Sequence, residues 1–128
     1  MNINGKVFVI TGGAQGLGLA MAESFAAKGA HLALVDLNDE RLAQAVSKCE
    51  ALGGKARAYK ANIANEQEVE NLFNQVVADL GGLDGLINNA GITRDGLLIK
   101  AKDGKIEKRM SLQEWQMVID VNLTGVFL

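Results

Sequence analysis

A glycine-rich stretch near the amino terminus has the residue types and spacing of an anion-binding turn. It runs TGGAQGLG over residues 11–18 and contains Gly12, Gly16 and Gly18. Because glycine has no Cβ, a ligand can approach the backbone closely and meet free N–H groups. A helical pattern follows the stretch, so the partial positive charge of a helix N-terminus would add to the attraction. The stretch predicts a phosphate-binding turn, although any tight strand-to-helix turn can be rich in glycine.

An acidic residue at the end of the second apolar run indicates what kind of phosphate ligand this turn would bind. Asp36 directly follows the run from His31 to Val35. In a dinucleotide site, such a carboxylate accepts hydrogen bonds from the adenosine ribose and repels a 2′-phosphate. No arginine or lysine is adjacent to Asp36, and Gln15 in the glycine turn is uncharged. We therefore expect NAD(H) to be favoured over NADP(H). The alternative is that Asp36 only helps Asn38 to start a helix.

Four short apolar runs alternate with segments of helical periodicity, a pattern typical of a parallel sheet with helices on both faces. The runs are Val7–Ile10, His31–Asp36, Ala56–Lys60 and Leu83–Ile87. We predict an α/β fold, a doubly wound parallel sheet of the Rossmann type, with strand order 3-2-1-4 and the fourth strand at an edge. The sequence has no proline, internal repeat or linker, so we expect one dinucleotide-binding domain over residues 1–128.

The helical segments have apolar stripes that should face the sheet. The expected core positions are Leu17, Ala20, Met21 and Phe25, then Leu42, Ala45, Val46, Cys49 and Leu52, then Val69, Leu72, Phe73, Val76, Val77 and Leu80. Capping residues are expected at the second, third and last helices, at Asn38, Asn65–Glu68 and Ser111–Glu114. Between Ile92 and Met110 we predict a polar loop.

The composition argues against several classes of function. A net charge of −2 argues against a nucleic-acid or anionic-membrane surface. Between Lys100 and Arg109, acidic residues are interspersed among the basic ones, which favours a solvated loop there. The sequence contains one cysteine, Cys49, and one histidine, His31. An internal disulfide and a metal site of paired cysteines or histidines are therefore excluded. No apolar run reaches the ~18 residues of a membrane span, and the first residues lack a signal-peptide pattern. We expect a cytoplasmic protein with no metal, nucleic-acid or membrane partner.

Three motifs in order resemble the short-chain dehydrogenase/reductase family. They are Thr11-Gly12-x-x-x-Gly16-x-Gly18, then Asn88-Asn89-Ala90-Gly91, then Asn122 within Val121–Phe127. The resemblance covers essentially the whole chain. Within the family, the stretch from Ala90 to Leu98 resembles bacterial 3-oxoacyl-[acyl-carrier-protein] reductases of fatty-acid biosynthesis. The resemblance implies an NAD(P)(H)-dependent oxidoreductase that reduces a 3-oxoacyl thioester or a similar carbonyl to the alcohol.

The resemblance also implies a role for each matching residue. The pyrophosphate would be contacted by Gly12, Gln15, Gly16, Leu17 and Gly18. The ribose would be contacted by Asp36 and Leu37, and the adenine by Asn62 and Ile63. The segment beneath the cofactor would be Asn89, Ala90 and Gly91. Asn122 would be the first member of an Asn-Ser-Tyr-Lys catalytic tetrad, holding a water that relays protons. On its position alone, Asn122 is better explained as a structural amide bonded to backbone.

Departures from the family pattern leave other functions open. Asn62 stands where the family usually has aspartate, and Lys102–Arg109 looks like an insertion. The family's serine and Tyr-x-x-x-Lys are not found in residues 1–128, since Tyr59 is followed by Ile63 where a lysine would be needed. We therefore expect a domain that is incomplete at its C-terminal end and inactive alone. The alternatives are a non-catalytic NAD-binding or assembly fragment and, with less support, a structural protein that has lost the cofactor.

The last predicted helix, which begins at Ser111, has two apolar stripes. One contains Trp115, Ile119, Asn122 and Val126, and the other contains Met117, Val121 and Leu128. A helix with two apolar sides should be covered by the sheet and by a second element. In the family that element is the same helix of another subunit, which implies a homo-oligomer. The alternative is a helix buried within one chain.

Overall fold

The computed structural model describes residues 2–128, which form an α/β fold of alternating strands and helices. In chain order the elements are β1 (Val7–Thr11), α1 (Gly16–Ala26), β2 (His31–Asp36), α2 (Asp39–Ala51), β3 (Lys55–Lys60), α3 (Glu66–Leu80), β4 (Gly85–Ile87), β5 (Ile99–Lys102), β6 (Lys105–Arg109), α4 (Leu112–Ile119), a π-helical turn (Asp120–Thr124) and α5 (Gly125–Phe127).

Within the described residues, β1 to β4 form one parallel sheet in the order β3-β2-β1-β4. The register places Val9 beside Ala33 and Leu86, and Leu34 beside Ala58. The predicted fold class and strand order are confirmed. Since the strands are parallel, their carboxyl ends meet at one edge, where the order reverses between β1 and β4.

Alternate residues of the two central strands build separate cores on the two faces of the sheet. Ile10 and Leu34 face α1 and α2, with Leu42 and Cys49 of α2 packed against them. Residues of the opposite parity belong to a second core with α3, built from Val9, Ala33, Val35, Val69, Leu72 and Val76. Helices therefore cover both faces, which makes the sheet doubly wound.

The predicted apolar stripe of α1 was wrong at its first positions, whereas Phe25 packs against the core as expected. Leu17 is 78% exposed, whereas the buried positions are Gly18, Ala22 and Ala26. The physical reason is close packing: a Cβ on Gly54 would meet the Ala26 Cα at 2.7 Å, so this face of α1 has no room for large side chains. The stripes of α2 and α3 are correct at their centres, although Leu52 and Val77 are exposed.

Asparagine side chains cap α2 and α3 as predicted. Asn38 accepts a hydrogen bond from the Arg41 N–H at 2.9 Å, and Asn65 accepts one from the Glu68 N–H at 3.0 Å. The capping box at Asn65 is only half formed, because the Glu68 carboxylate accepts from the Asn62 N–H at 2.8 Å instead. Side-chain capping therefore fixes where both helices begin.

A β-hairpin occupies the segment in which a polar loop was predicted. Strands β5 and β6 pair antiparallel, and Asp103-Gly104 connects them with φ values of 51° and 73°. Two residues with positive φ are typical of a type I′ turn, for which Asp-Gly is a strong signal. The prediction missed this signal because the flanking residues are mostly lysines rather than alternating apolar residues.

The last helical segment begins at the predicted capping box but is not a regular α-helix. Ser111 and Glu114 form both hydrogen bonds of the box. The π-helical turn at Asp120–Thr124 then shifts the periodicity, so the two predicted stripes do not continue in register through it. Among residues 2–128, no helix combines the length and the apolar character that a membrane crossing requires.

Candidate functional site

The glycine turn between β1 and α1 has backbone geometry that excludes side chains at specific points. Gly12 has a φ of 64°, and a Cβ on Gly18 would lie 2.2 Å from the Gly12 carbonyl oxygen. Gly16, with a φ of 55°, faces open space. Gln15 precedes α1 but provides no side-chain cap, unlike the residues that precede α2, α3 and α4. The N-terminus of α1 is thus exposed and available to an anion.

Hydrogen bonds join this glycine turn to the Asn-Asn-Ala-Gly segment after β4. Asn89 Nδ2 donates to the carbonyl oxygens of Thr11 at 3.1 Å and Gly12 at 3.3 Å. The Thr11 hydroxyl accepts from the N–H groups of Asn89 and Ala90, both at 3.1 Å, and donates to the Ile87 carbonyl. Thr11 is 4% exposed and was not predicted as a site residue. Its position at a strand end, before the glycines, was the available signal.

A cleft of about 200 Å³ lies at the carboxyl ends of the strands, and we call it the strand-end cleft. Its lining residues come from the end of β2, from the segments that follow the four strands and from the π-helical turn: Gly12, Gln15, Val35, Asp36, Leu37, Ala61, Asn62, Ile63, Ala90, Gly91, Ile92 and Val121. Most of the predicted cofactor residues therefore share one cavity. Gly16, Leu17, Gly18 and Asn89 lie outside this lining, in or beneath the glycine turn.

Asp36 lies in the strand-end cleft with its carboxylate held by backbone. Its Oδ1 accepts from the Leu37 N–H at 2.8 Å, and its Oδ2 accepts from the Ala14 N–H at 3.4 Å. These bonds connect the end of β2 to the glycine turn. The carboxylate is half-buried, so it still has accepting capacity toward the cleft.

Arg41 brings a positive charge to the glycine turn that sequence adjacency did not reveal. Arg41 lies in the first turn of α2, and its guanidinium extends over the glycine turn, where it donates to the Gln15 side chain. The prediction considered only residues next to Asp36. The signal was the Asn38 cap, since it fixes where α2 starts and hence where Arg41 lies.

Asn62 and Ile63 lie on the side of the cleft formed after β3. Asn62 Oδ1 accepts from the Ala64 N–H at 3.0 Å, so its oxygen is tied into a local turn. Its Nδ2 has no hydrogen-bond partner within residues 2–128 and can donate. Ile63 is buried against α5, where a Cβ on Gly125 would lie 3.1 Å from it.

Asn122 lies on the π-helical turn and bonds to backbone after β4. The Ile92 N–H donates to Asn122 Oδ1 at 2.8 Å, and Asn122 Nδ2 donates to the Ile92 carbonyl at 2.9 Å. The expected apolar burial of Asn122 is wrong, since the residue is exposed. These contacts fit a structural amide, and a catalytic role remains a prediction.

Other reactive groups in the described part of the chain are not prepared for chemistry near neutral pH. Burial, followed by the hydrogen bond to Asp79, raises the pKa of Tyr59 to about 12. Burial also raises the pKa of the Cys49 thiol to about 11. Within residues 2–128, no group of three or more His, Cys, Asp or Glu side chains could hold a metal ion. The strand-end cleft and the Asn122 region are therefore the places where chemistry can be sought.

Comparison with known protein families identifies this arrangement. A family model described as short chain dehydrogenase matches residues 6–128. The chain belongs to the short chain dehydrogenase family.

Named members of the family have different substrates. The 3-oxoacyl-[acyl-carrier-protein] reductase FabG of Thermotoga maritima is 39% identical over 127 residues, covering 99% of this chain and 48% of that protein. The 2,3-dihydro-2,3-dihydroxybenzoate dehydrogenase of Bacillus subtilis is 38% identical, covering 98% of this chain and 44% of that protein. This short chain dehydrogenase chain spans about half the length of the curated relatives it matches.

Solved structures of short chain dehydrogenases have the same fold. A short chain dehydrogenase/reductase from Burkholderia phymatum in complex with NAD has a TM-score of 0.86 at 31% identity, covering 99% of this chain and 42% of that one. An NAD⁺-bound xylitol dehydrogenase has a TM-score of 0.83 at 32% identity, covering 99% and 46%.

Proposed function

We propose that residues 1–128 form the dinucleotide-binding domain of an NAD(P)(H)-dependent oxidoreductase that reduces a carbonyl to an alcohol. The observation that carries this proposal is the arrangement of the strand-end cleft. An uncapped helix N-terminus with glycines lies at one end, and Asp36 lies beside the glycine turn at the end of β2. A diphosphate and an adenosine ribose need those two features at one sheet edge.

The residues fit the cofactor by their shapes and by their hydrogen-bonding atoms. The open space at Gly16 admits the diphosphate to the backbone, with Gly12, Gln15, Leu17 and Gly18 forming the rest of the turn. Asp36 and Leu37 would hold the ribose, and Asn62 and Ile63 the adenine. Asn89, Ala90 and Gly91 would support the cofactor from below, because Asn89 fixes the glycine turn.

We further propose a preference for NAD(H) over NADP(H). The Asp36 carboxylate, held by Leu37 and Ala14, would repel a 2′-phosphate at the ribose. Arg41 provides a nearby positive charge, but its guanidinium is directed to Gln15 rather than to Asp36. The carboxylate therefore dominates at the ribose hydroxyls.

The chain's own contribution to the reaction would be to position the groups around the nicotinamide. When bound, the nicotinamide transfers hydride to or from the carbonyl carbon of the substrate. Asn122 fixes the backbone at Ile92, and its Oδ1 has a second lone pair that can accept from a water. We propose this water as the relay by which Asn122 acts as the first member of the catalytic tetrad. The resemblance around residues 90–98 favours a 3-oxoacyl thioester as the substrate.

Exposed apolar side chains on the last helical segment support a homo-oligomer. Phe127 is 86% exposed, and Leu112, Trp115 and Leu123 are also largely accessible. Several large apolar side chains exposed on one helical segment favour association. We propose that the equivalent helix of a second copy covers it. The same face, together with the exposed edge of β4, also favours the alternative of a non-catalytic assembly fragment.

Titration calorimetry of the purified chain with NAD⁺ and NADP⁺ tests the cofactor proposal. We expect tighter binding of NAD⁺ by the unmodified chain. In Asp36→Arg we expect the affinity ratio to shift toward NADP⁺ by about tenfold or more, because the carboxylate that bonds the ribose and repels a 2′-phosphate is replaced by a guanidinium that attracts it. Asp39→Arg is the matched control, because it makes the same charge change three residues away. An unchanged ratio in Asp36→Arg, or no binding of either dinucleotide, would contradict the proposal.

A further inference from the structure

Four lysines project from one face of the β5–β6 hairpin. Lys100 is directly opposite Lys108, and Lys102 is directly opposite Lys105. Directly opposed residues of an antiparallel pair share a face, and so do Lys100 and Lys102, which are two apart on β5. A register shift opposite Lys100 and Ala101 accounts for the three-residue spacing of Lys105 and Lys108 on β6. Lys100, Lys102, Lys105 and Lys108 therefore form one surface, which we call the lysine face.

The lysine face is electrostatically unfavourable in the free protein. Like charges directly opposite each other destabilise a sheet, and the hairpin has two such pairs. Its compensation within the described residues is one ion pair, between Lys100 and Glu107 at 3.3 Å. Residues 99–109 contain five Lys or Arg and two Asp or Glu, while the whole chain has a net charge of −2. Every residue of both strands is exposed, so packing offsets little of this repulsion.

A cavity of about 220 Å³ adjoins the lysine face, and we call it the hairpin cavity. Lys100, Lys108 and Arg94 line it together with Asp95 and Glu114. Glu114 Oε2 accepts from the Ser111 N–H and hydroxyl, both at 2.9 Å, and these bonds, followed by the charges of Lys108 and Arg94, hold the pKa of Glu114 below its usual value. Three cationic side chains thus face two carboxylates in the cavity lining. Arg94 donates to the Thr93 carbonyl at 2.7 Å and has no ion pair within residues 2–128, so it can still bind an anion.

We propose that the lysine face and the hairpin cavity bind a phosphate monoester or diphosphate group at a site separate from the glycine turn. A small phosphorylated ligand fits better than a nucleic acid, because the chain outside the hairpin is acidic and would repel an extended polyanion. Ammonium and guanidinium groups around a cavity of this size are typical phosphate partners.

The hairpin cavity also borders the region of Asn122. A second cavity of about 430 Å³, lined by residues that include Ile92, Trp115 and Asn122, shares Arg94, Asp95, Met110 and Glu114 with it. The phosphate would thus be the anionic handle of the substrate, held while its carbonyl lies near Asn122. This assignment to the substrate rests on the proposed function, whereas the phosphate site itself does not.

Fluorescence of Trp115 during titration with inorganic pyrophosphate tests the site. Trp115 is the chain's single tryptophan and lines the cavity beside Arg94, so it reports binding there rather than at the glycine turn. We expect a saturable change that weakens with added salt. In the double variant Lys100→Gln/Lys108→Gln the affinity should fall by about tenfold, since two surface charges are lost.

The matched control is Lys28→Gln/Lys48→Gln, which removes two exposed lysines from α2 and the turn after α1 and should leave the affinity unchanged. Equal affinity in both double variants, no saturable response, or tighter binding of duplex DNA than of pyrophosphate would overturn the proposal. NAD⁺ titration of the same variants separates the two proposals. A hairpin variant that loses pyrophosphate but retains NAD⁺ supports a distinct site, and loss of both together contradicts it.

Discussion

Asn122 and Ile92 exchange two hydrogen bonds across 30 residues of sequence. The Ile92 N–H donates to Asn122 Oδ1 at 2.8 Å, and Asn122 Nδ2 donates to the Ile92 carbonyl at 2.9 Å. An amide side chain bonded in this way imitates a neighbouring strand. These two bonds fix the segment after β4 against the π-helical turn. Packing contributes little to the attachment at this point, because Asn122 itself is exposed.

Replacing Asn122 by alanine should destabilise the protein measurably. Both hydrogen bonds are lost, so we expect the free energy of unfolding in urea to fall by about 1–2 kcal/mol. Gln116→Ala is the matched control, because it removes one exposed hydrogen bond to Asp120 at 2.7 Å on the same helix. That control should change stability by no more than about 0.5 kcal/mol. Equal effects of the two variants would show that the Ile92 contact contributes nothing.

Adding one methyl group at Gly18 should disrupt the glycine turn. A Cβ there would meet the Gly12 carbonyl oxygen at 2.2 Å and Asn89 Nδ2 at 2.6 Å, both of which are fixed. We expect Gly18→Ala to lose about 1–3 kcal/mol of stability through overpacking and to weaken dinucleotide binding. Gly82→Ala is the control, since a Cβ there meets nothing within 4 Å. Thermal unfolding of both variants measures the difference, and equal melting temperatures would refute the close approach.

The contrast between α1 and α3 shows what the sequence could specify. In α3 the apolar period places Val69, Leu72 and Val76 on the sheet, because a helix at normal distance buries its largest apolar side chains. In α1 the same rule selected Leu17, which is exposed. The close contact of Ala26 with Gly54, in the turn before β3, leaves no room for large side chains there, and because the two residues are far apart in sequence it has no local signal.

The candidate site could be predicted where the residues of one continuous motif determine its geometry. The glycine turn and Asp36 follow from a strand, a turn and a second strand in succession, and the structure places them in one cleft. Thr11 was missed because its role depends on Asn89, which is 78 residues away. Arg41 was missed because its position over the glycine turn depends on where α2 begins. The hairpin was missed because Asp103-Gly104 is flanked by charged residues.

The Asn62→Asp variant should change which base the proposed site prefers. Asn62 Oδ1 is tied to the Ala64 N–H, so only a donor, Nδ2, is free. An aspartate would keep that bond and present an acceptor, which matches the amino group of adenine. We expect the affinity ratio of NAD⁺ to nicotinamide hypoxanthine dinucleotide to rise by about tenfold.

Asn65→Asp is the matched control for the base preference. It makes the same chemical change at an exposed capping position, where aspartate caps equally well. Calorimetry with both dinucleotides gives the ratio for each variant. If Asn62→Asp and Asn65→Asp had the same ratio, Asn62 would not contact the base.

Tyr59 should ionise only in strongly alkaline solution. Its ring is 7% exposed, and its hydroxyl donates to Asp79 Oδ2 at 2.9 Å. Burial and then the Asp79 hydrogen bond raise its pKa from 10.0 to about 12. Because the folded state prefers the protonated phenol, this contribution to stability is complete below pH 10.0 and is lost as the pH rises through about 12.

The phenolate absorbance measures this directly, since the chain contains a single tyrosine. We expect a midpoint near 12 in the folded chain and near 10 in urea-unfolded chain. Asp79→Asn removes the negative charge but keeps an acceptor, so the midpoint should move part of the way toward 10.0, with burial maintaining the remainder. A folded midpoint near that of the unfolded chain, with circular dichroism unchanged, would mean that the hydroxyl is neither buried nor bonded to Asp79.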